Sequence, residues 1–189
     1  MRPSTPPMSR SRAVAVEAPV LLAVARTLNA HRSLAKAVIE KLYEVARQAE
    51  GRLLKAYANY AIHELAKLVV LCEAAINALG VNGLSAKDGG AEALGKSFME
   101  LAVRLSEALD QLSKGVNRVA LLRLAEVAEP MLRLASLQER ACAKAVELLG
   151  ASPQVARLLK RIAKDLARLA DDMRLMRGVL LARTGLSKL

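Results

Sequence analysis

Apolar residues recur every three or four positions along most of the chain, which is the spacing of one face of an α-helix. The pattern is continuous from Ala35 to Tyr60 and, after a small shift in phase, from Ile62 to Leu79. It passes through Gly51 without interruption. The sequence therefore predicts one long helix here, or two nearly continuous ones, spanning about 70 Å at 1.5 Å per residue.

Glycine and proline mark the ends of other predicted helices. Pro19 predicts the start of a first helix over 19–31, because a proline at the first helical position loses no hydrogen bond. Gly80 and Gly115 predict two helix ends. The glycine-rich segment 80–90 is predicted to be the main loop.

The C-terminal half has similar markers. A helix is predicted over 116–149, and Pro130 inside it is expected to kink or split it near Glu129. Gly150 is predicted to end that helix. Ser152 followed by Pro153 combines an N-capping hydroxyl with an N1 proline and predicts the start of a last helix.

The composition favours helix over strand. Hydrophobic residues make up 53% of the chain, while aromatic residues, which strands favour, make up 2%. Leu and Ala dominate and suit closely packed helices. The sequence therefore predicts an all-α protein, a bundle of about five or six long antiparallel helices over 19–189, preceded by an extended basic arm over 1–18.

The predicted arm contains a basic, proline-rich stretch, MRPSTPPMSRSR. It holds three of the six prolines and three arginines with no acidic residue. Such a stretch cannot bury an apolar face, so we expect an extended conformation. Its cations are Arg2, Arg10 and Arg12.

The net charge of +11 is distributed unevenly. Residues 1–50 carry eight Lys and Arg against four Asp and Glu, and residues 150–189 carry nine against three. Residues 51–149 are nearly balanced, with twelve against eleven. Since a charge of this size opposes compaction, it points to a polyanionic partner.

The last predicted helix is amphipathic, with its cations on one face and apolar residues on the other. Three interpretations are open: a solvated face, a membrane-surface helix, which would lack Trp and Phe anchors, and a phosphate-binding face. The arm at the other end of the chain favours the third. The five cations of this stripe are Arg157, Lys160, Arg161, Lys164 and Arg168.

Candidate chemistry is sparse, and no cofactor or metal site is expected. The spacing of Arg26 and His31 is similar to the R-x4-H motif of HEPN-type helical ribonucleases, in which they would hold a phosphate and transfer a proton. Cys72 and Cys142 lack a metal-binding spacing, and two buried free thiols are expected, with a disulfide between them as the alternative.

Signals of location are few. No secretory signal or membrane span is expected, which favours a virion or cytoplasmic protein. The last residues, Ser187-Lys188-Leu189, match a peroxisomal address, which offers an alternative. Scarce Asn and Gln beside plentiful Arg hint at a thermophilic source.

The stretch MRPSTPPMSRSR, leading into a bundle of long helices, resembles the DNA-wrapping coat proteins and nucleoproteins of viruses from hyperthermophilic archaea. The resemblance implies a virion component that assembles in many copies around double-stranded DNA, with Arg2, Arg10 and Arg12 as arm cations. The small helical subunit of CRISPR effector complexes is a second similar class.

The sequence thus favours a non-enzymatic structural protein that coats or condenses nucleic acid. The scarcity of aromatic residues argues against base stacking, so gripping of a duplex backbone, independent of base sequence, fits best. About eight phosphate contacts would give log affinity a slope of about −7 against log salt. The alternatives are the CRISPR subunit, the ribonuclease and the peroxisomal protein.

Overall fold

The computed structural model describes residues 10–49, 52–80 and 94–186, and within this part the protein is all-helical, with no strand. This confirms the predicted fold class. In chain order the helices are α1 (Arg10–Gln48), α2 (Arg52–Leu79), α3 (Lys96–Lys114), α4 (Arg118–Leu149) and α5 (Pro153–Leu186).

The helices pack side by side in a ring, in the order α1, α2, α5, α4, α3 and back to α1, and α1 also contacts α4 across it. Each helix contributes side chains to one shared core. α4 and α5 run antiparallel, as shown by ion pairs from Lys160 to Glu147 and from Arg133 to Asp171. The core is built mainly from Leu and Ala, with Phe98 as its largest fully buried side chain.

The N-terminal half differs from the sequence-based expectation in two ways. α1 is helical from Arg10, so the extended arm predicted over 1–18 is wrong from that residue onward, and Arg2 lies outside the described residues. The start predicted at Pro19 is also wrong. The segment after Arg12 contains Ala and Glu and no glycine, so the helix forms upstream and accommodates Pro19 in its interior, where a proline removes one hydrogen bond.

The predicted long helix through Gly51 is two antiparallel helices. Lys36 Nζ of α1 donates to Glu73 Oε1 of α2 at 3.0 Å, which requires the chain to reverse direction between Gln48 and Arg52. Packing the two apolar faces against each other removes more apolar surface from water than one straight helix could.

Most helix ends follow the glycine and proline markers. Gly80 and Gly150 adopt left-handed backbone conformations, with φ of 66° and 65°. Ser152 Oγ accepts a hydrogen bond from the Val155 amide at 3.3 Å, so the predicted start of α5 is confirmed. α4 begins two residues later than predicted, at an Asn117 cap. The predicted loop 80–90 lies outside the described residues beyond Gly80.

α4 continues through Pro130, so the predicted split near Glu129 does not occur. A proline removes one backbone hydrogen bond of its helix. Packing against α3 on one side and α5 on the other holds the two halves of α4 together.

Two glycines in the α4–α5 hairpin should respond oppositely to the same substitution. Gly150→Ala places a side chain at positive φ and should destabilise the protein by about 1 kcal/mol. Gly178 lies inside α5 with no atom within 4 Å of an added Cβ, so Gly178→Ala should stabilise by about 0.5–1 kcal/mol. Urea denaturation of both variants measures the two effects. Shifts of the same sign would contradict these helix assignments.

Candidate nucleic-acid interface

The outer face of α5 carries the stripe predicted from sequence, and all five of its cations are exposed. The opposite face is buried against the bundle, with Val155, Leu159 and Ile162 fully enclosed. The amphipathic arrangement of this helix is therefore as predicted.

Three cations of the stripe are already paired with carboxylates. Lys160 Nζ lies 2.5 Å from Glu147 Oε1 of α4, and Arg161 Nε lies 3.2 Å from Asp165 Oδ2 within α5. Arg168 pairs with Glu64 of α2. These ion pairs neutralise most of the charge that the stripe offers to an anionic partner.

Two of these carboxylates, Glu147 and Asp165, have lowered pKa values. The hydrogen bond from Lys160 lowers the pKa of Glu147 below its ordinary value. Burial tends to raise the pKa of Asp165, but hydrogen bonds from Lys67 and Arg161 outweigh it, so this pKa is also lowered. Near neutral pH these pairs therefore persist.

Arg157 and Lys164 differ from the rest of the stripe, because neither pairs with a carboxylate in the part of the chain that the structure describes. Arg157 Nε donates only to the carbonyl of Pro153 in its own helix, at 3.3 Å. Both side chains are exposed, so their charges are available to solvent or to a ligand.

Two exposed cations of α4, Arg140 and Lys144, extend the group formed by Arg157 and Lys164. Ser136 Oγ donates to the Ala163 carbonyl at 2.8 Å, and Glu147 pairs with Lys160, so both contacts lie on the α5 side of α4. Arg140 lies one turn after Ser136, and Lys144 lies one turn before Glu147. Within the described ranges neither makes an ion pair. We call the four cations Arg140, Lys144, Arg157 and Lys164 the basic face.

At the other end of the α4–α5 hairpin three arginines share two carboxylates, whereas Arg118 and Arg123 donate to the Leu180 carbonyl and to Gln111 Oε1. Arg133 lies 3.0 Å from Asp171 and 3.3 Å from Glu129. Arg177 lies 3.5 Å from Glu129, and Arg174 lies 3.7 Å from Asp171.

The structure does not bring Arg26 and His31 together. Both lie on α1, where five residues correspond to a rotation of about 140° around the helix. Arg26 is exposed, whereas His31 is 4% exposed. His31 Nδ1 lies 2.5 Å from Glu139 Oε1 and Nε2 lies 3.0 Å from Gln138 Oε1, so both ring nitrogens are engaged within the core.

The buried pair of His31 and Glu139 was not predicted from sequence. Glu139 is 0% exposed, and its Oε2 has no hydrogen-bond partner among the described residues. The sequence did contain a signal that Glu139 is buried. Glu139 falls in helical phase with the apolar positions Leu132, Ala135 and Val146 of α4.

Both cysteines lie near Glu139 of this pair. Cys72 and Cys142 are free, and burial raises the pKa of both thiols, that of Cys142 to about 12. Cys72 is buried as expected, while Cys142 is half-buried. Among the residues described, no three His, Cys, Asp or Glu side chains form a cluster able to hold a metal ion.

A cavity of about 100 Å³ lies at the centre of the ring, lined by side chains from all five helices. Nearly all of them are aliphatic. The lining includes His31, whose nitrogens point to Glu139 and Gln138, and Tyr57, whose hydroxyl contacts Met173 Sδ at 3.7 Å. The cavity wall therefore offers no free hydrogen-bonding group.

The fold and its surface define an all-helical bundle with a basic face at one end of the α4–α5 hairpin. No model of a protein family, no curated protein and no solved structure matches this chain. In the described part of the chain, no helix has an apolar stretch long enough to cross a bilayer.

Proposed function

We propose that the protein binds the phosphate backbone of duplex nucleic acid through the basic face and serves as a structural protein that coats or condenses it. The observation that carries the proposal is the group of exposed cations on α4 and α5 that have no carboxylate partner among the described residues. The net charge of +11 supports the same partner class.

Unpaired cations are suited to binding phosphate groups, because no ion pair within the protein has to break first. A paired cation such as Lys160 must share its charge between Glu147 and a ligand, whereas Lys164 contacts a phosphate at no such cost. Each phosphate contact also releases condensed counterions, which drives association. The four cations belong to two antiparallel helices packed together, so their spacing is held by the bundle.

The surface chemistry favours backbone contacts over base contacts. Residues 134–169, which carry the basic face, contain no aromatic residue, so bases cannot stack on an aromatic ring there. Duplex binding without base-sequence preference follows. We propose the coat-like role in a virion on the same grounds, with many copies arranged along one duplex.

The salt dependence of binding tests this mechanism. If only the four cations of the basic face contact phosphates, log affinity for duplex DNA should fall with log salt at a slope of about −4. Additional contacts from Arg2, Arg10 and Arg12 would steepen it toward about −6. Fluorescence anisotropy with labelled duplexes of two unrelated sequences measures the slope. An affinity independent of salt would exclude the electrostatic mechanism.

A matched pair of arginines locates the contact. Arg157 and Arg47 are both exposed, and each Nε donates to a carbonyl four residues earlier in its own helix. Arg157→Ala should flatten the salt slope by about one unit, while Arg47→Ala should leave it unchanged. Equal changes of the salt slope in the two variants would indicate diffuse attraction by net charge.

A ribonuclease assay tests the alternative function. Cleavage of labelled RNA by the wild-type protein that disappears in His31→Ala would overturn the proposed structural role.

A further inference from the structure

The central cavity runs lengthwise through the bundle. Its lining extends from His31 to Val45 on α1 and from Phe98 to Leu112 on α3, about 20 Å in each case at 1.5 Å per residue. A volume of about 100 Å³ is small for that length. The cavity is therefore a narrow channel, and its shape suits an unbranched chain better than a compact ligand.

The two ends of the channel differ. At one end the buried rings of His31 and Phe98 lie 5.3 Å apart, measured between their centroids, and close the channel. At the other end Leu54, Leu121 and Met176 line the channel and are only half-buried. The channel therefore approaches the surface at this end, between α2, α4 and α5, and we call this end the mouth.

Positive charge lies around the mouth. Arg118 is the first residue of α4, and its guanidinium donates to the Leu180 carbonyl of α5, one turn beyond Met176. Arg52 and Lys55 are exposed in the first turn of α2, at the same end of the bundle. Within the described ranges none of these three cations pairs with a carboxylate. Their charges are therefore available to an anionic group.

We propose that the channel binds the hydrocarbon chain of a medium-chain alkyl carboxylate, with the carboxylate at the mouth beside Arg118. The channel wall offers no free hydrogen-bonding group, so the enclosed part of the ligand is hydrocarbon. An engineered cavity of about 150 Å³ holds one benzene molecule, so 100 Å³ accommodates about four carbon atoms. The next carbons lie in the half-buried mouth, which makes octanoate the expected size.

The wall of the channel can adapt to such a chain. Met131, Met173 and Met176 line it, and the unbranched methionine side chain rearranges readily around irregular contents. A bound chain gains dispersion contacts with the aliphatic wall and leaves water. Each CH2 group that enters the channel should lower the Kd about fourfold.

The mouth and the basic face lie toward opposite ends of α4. Leu121 and Arg140 are nineteen residues apart on this helix, which corresponds to about 28 Å. The channel therefore takes its ligand independently of the proposed function. A failure of nucleic-acid binding leaves the outcomes below unaltered, and the reverse also holds.

Isothermal titration calorimetry with linear carboxylates from butanoate to dodecanoate tests the channel. The Kd should fall about fourfold per CH2 up to about octanoate and then level off, because the enclosed volume is filled. A lack of saturable octanoate binding below about 1 mM would overturn the proposal. A Kd that keeps falling up to dodecanoate would also overturn it, since this indicates adsorption to the protein surface.

Variants at the mouth test the position of the carboxylate. Arg118→Gln should raise the Kd of octanoate about fivefold and leave that of octanol unchanged, because octanol has no charge to lose. Arg118→Lys should retain most of the affinity for octanoate. Arg104→Gln, at an exposed position of α3, is the matched control and should alter neither ligand. Equal effects of Arg118→Gln on octanoate and octanol would overturn the placement.

Variants that fill the channel test its location. Ala128 of α4 lines the cavity, and Ala128→Leu should raise the Kd of both octanoate and octanol at least about tenfold. Ala58→Val fills it from α2 if the first variant loses its helical circular dichroism. Ala141→Leu, at an exposed position of α4, is the control. Unchanged octanoate binding in a folded filling variant would overturn the proposal.

Discussion

Replacing Glu139 by alanine is expected to destabilise the protein by about 3–5 kcal/mol. Glu139 is fully buried and lies 2.5 Å from His31 Nδ1, so solvent does not screen the contact. The substitution leaves the His31 ring without its partner in a desolvated site and also creates a void beside it. A loss of this size is a large share of the stability of an ordinary domain.

Two further variants distinguish the loss of stability caused by breaking the buried pair from the effect of an ordinary substitution on α4. Glu126→Ala removes an exposed glutamate of the same helix and should change stability by less than about 0.5 kcal/mol. His31→Leu combined with Glu139→Leu removes both polar partners and should recover much of the loss, because only the partly buried Gln138 Oε1 then loses a hydrogen bond. Urea denaturation measures all three. If Glu139→Ala behaves like Glu126→Ala, the pair contributes little to stability.

Reversing two charges on the basic face is expected to weaken duplex binding by about 100-fold or more at 0.1 M salt. Each phosphate contact contributes about tenfold at that salt concentration, by the dependence of counterion release on salt. Arg157→Glu with Lys164→Glu removes two contacts and places negative charge against the phosphates. The loss should be the same for unrelated duplex sequences, because no base contact is involved.

The control variant changes the net charge by the same amount elsewhere. Arg47 and Lys55 are exposed and lie on α1 and α2, outside the α4–α5 hairpin. Arg47→Glu with Lys55→Glu should weaken binding by less than about tenfold, through the long-range field alone. Electrophoretic mobility shifts at matched salt compare the two proteins. Similar losses would mean that net charge, and not the basic face, determines binding.

Local chemistry allowed several helix ends to be predicted. The left-handed conformation at Gly150 and the cap at Ser152 depend on residues within one turn, so the sequence signal was sufficient. The chain reversal between α1 and α2 was not predictable in this way. The apolar period continues in phase across Gly51, and a periodic pattern reports which face is apolar, not where the helix folds back.

The candidate site was predictable only in part. The amphipathic pattern of α5 identified its cations correctly as exposed. Which of them remain available for a ligand depends on carboxylates that lie far away in sequence, such as Glu64 beside Arg168. Arg140 and Lys144 were missed because their membership of the basic face requires α4 to pack along α5.

By itself, the sequence determined that this protein is helical, where several of its helices end, and which face of α5 turns outward. These properties follow from contacts within a few residues and from the period of the apolar positions. The tertiary structure alone decided that His31 and Glu139 meet in the core and that Arg157 and Lys164 stay unpaired within the described bundle. Ion pairing acts over a few ångströms of space, and only packing of the five helices brings side chains distant in sequence within that range.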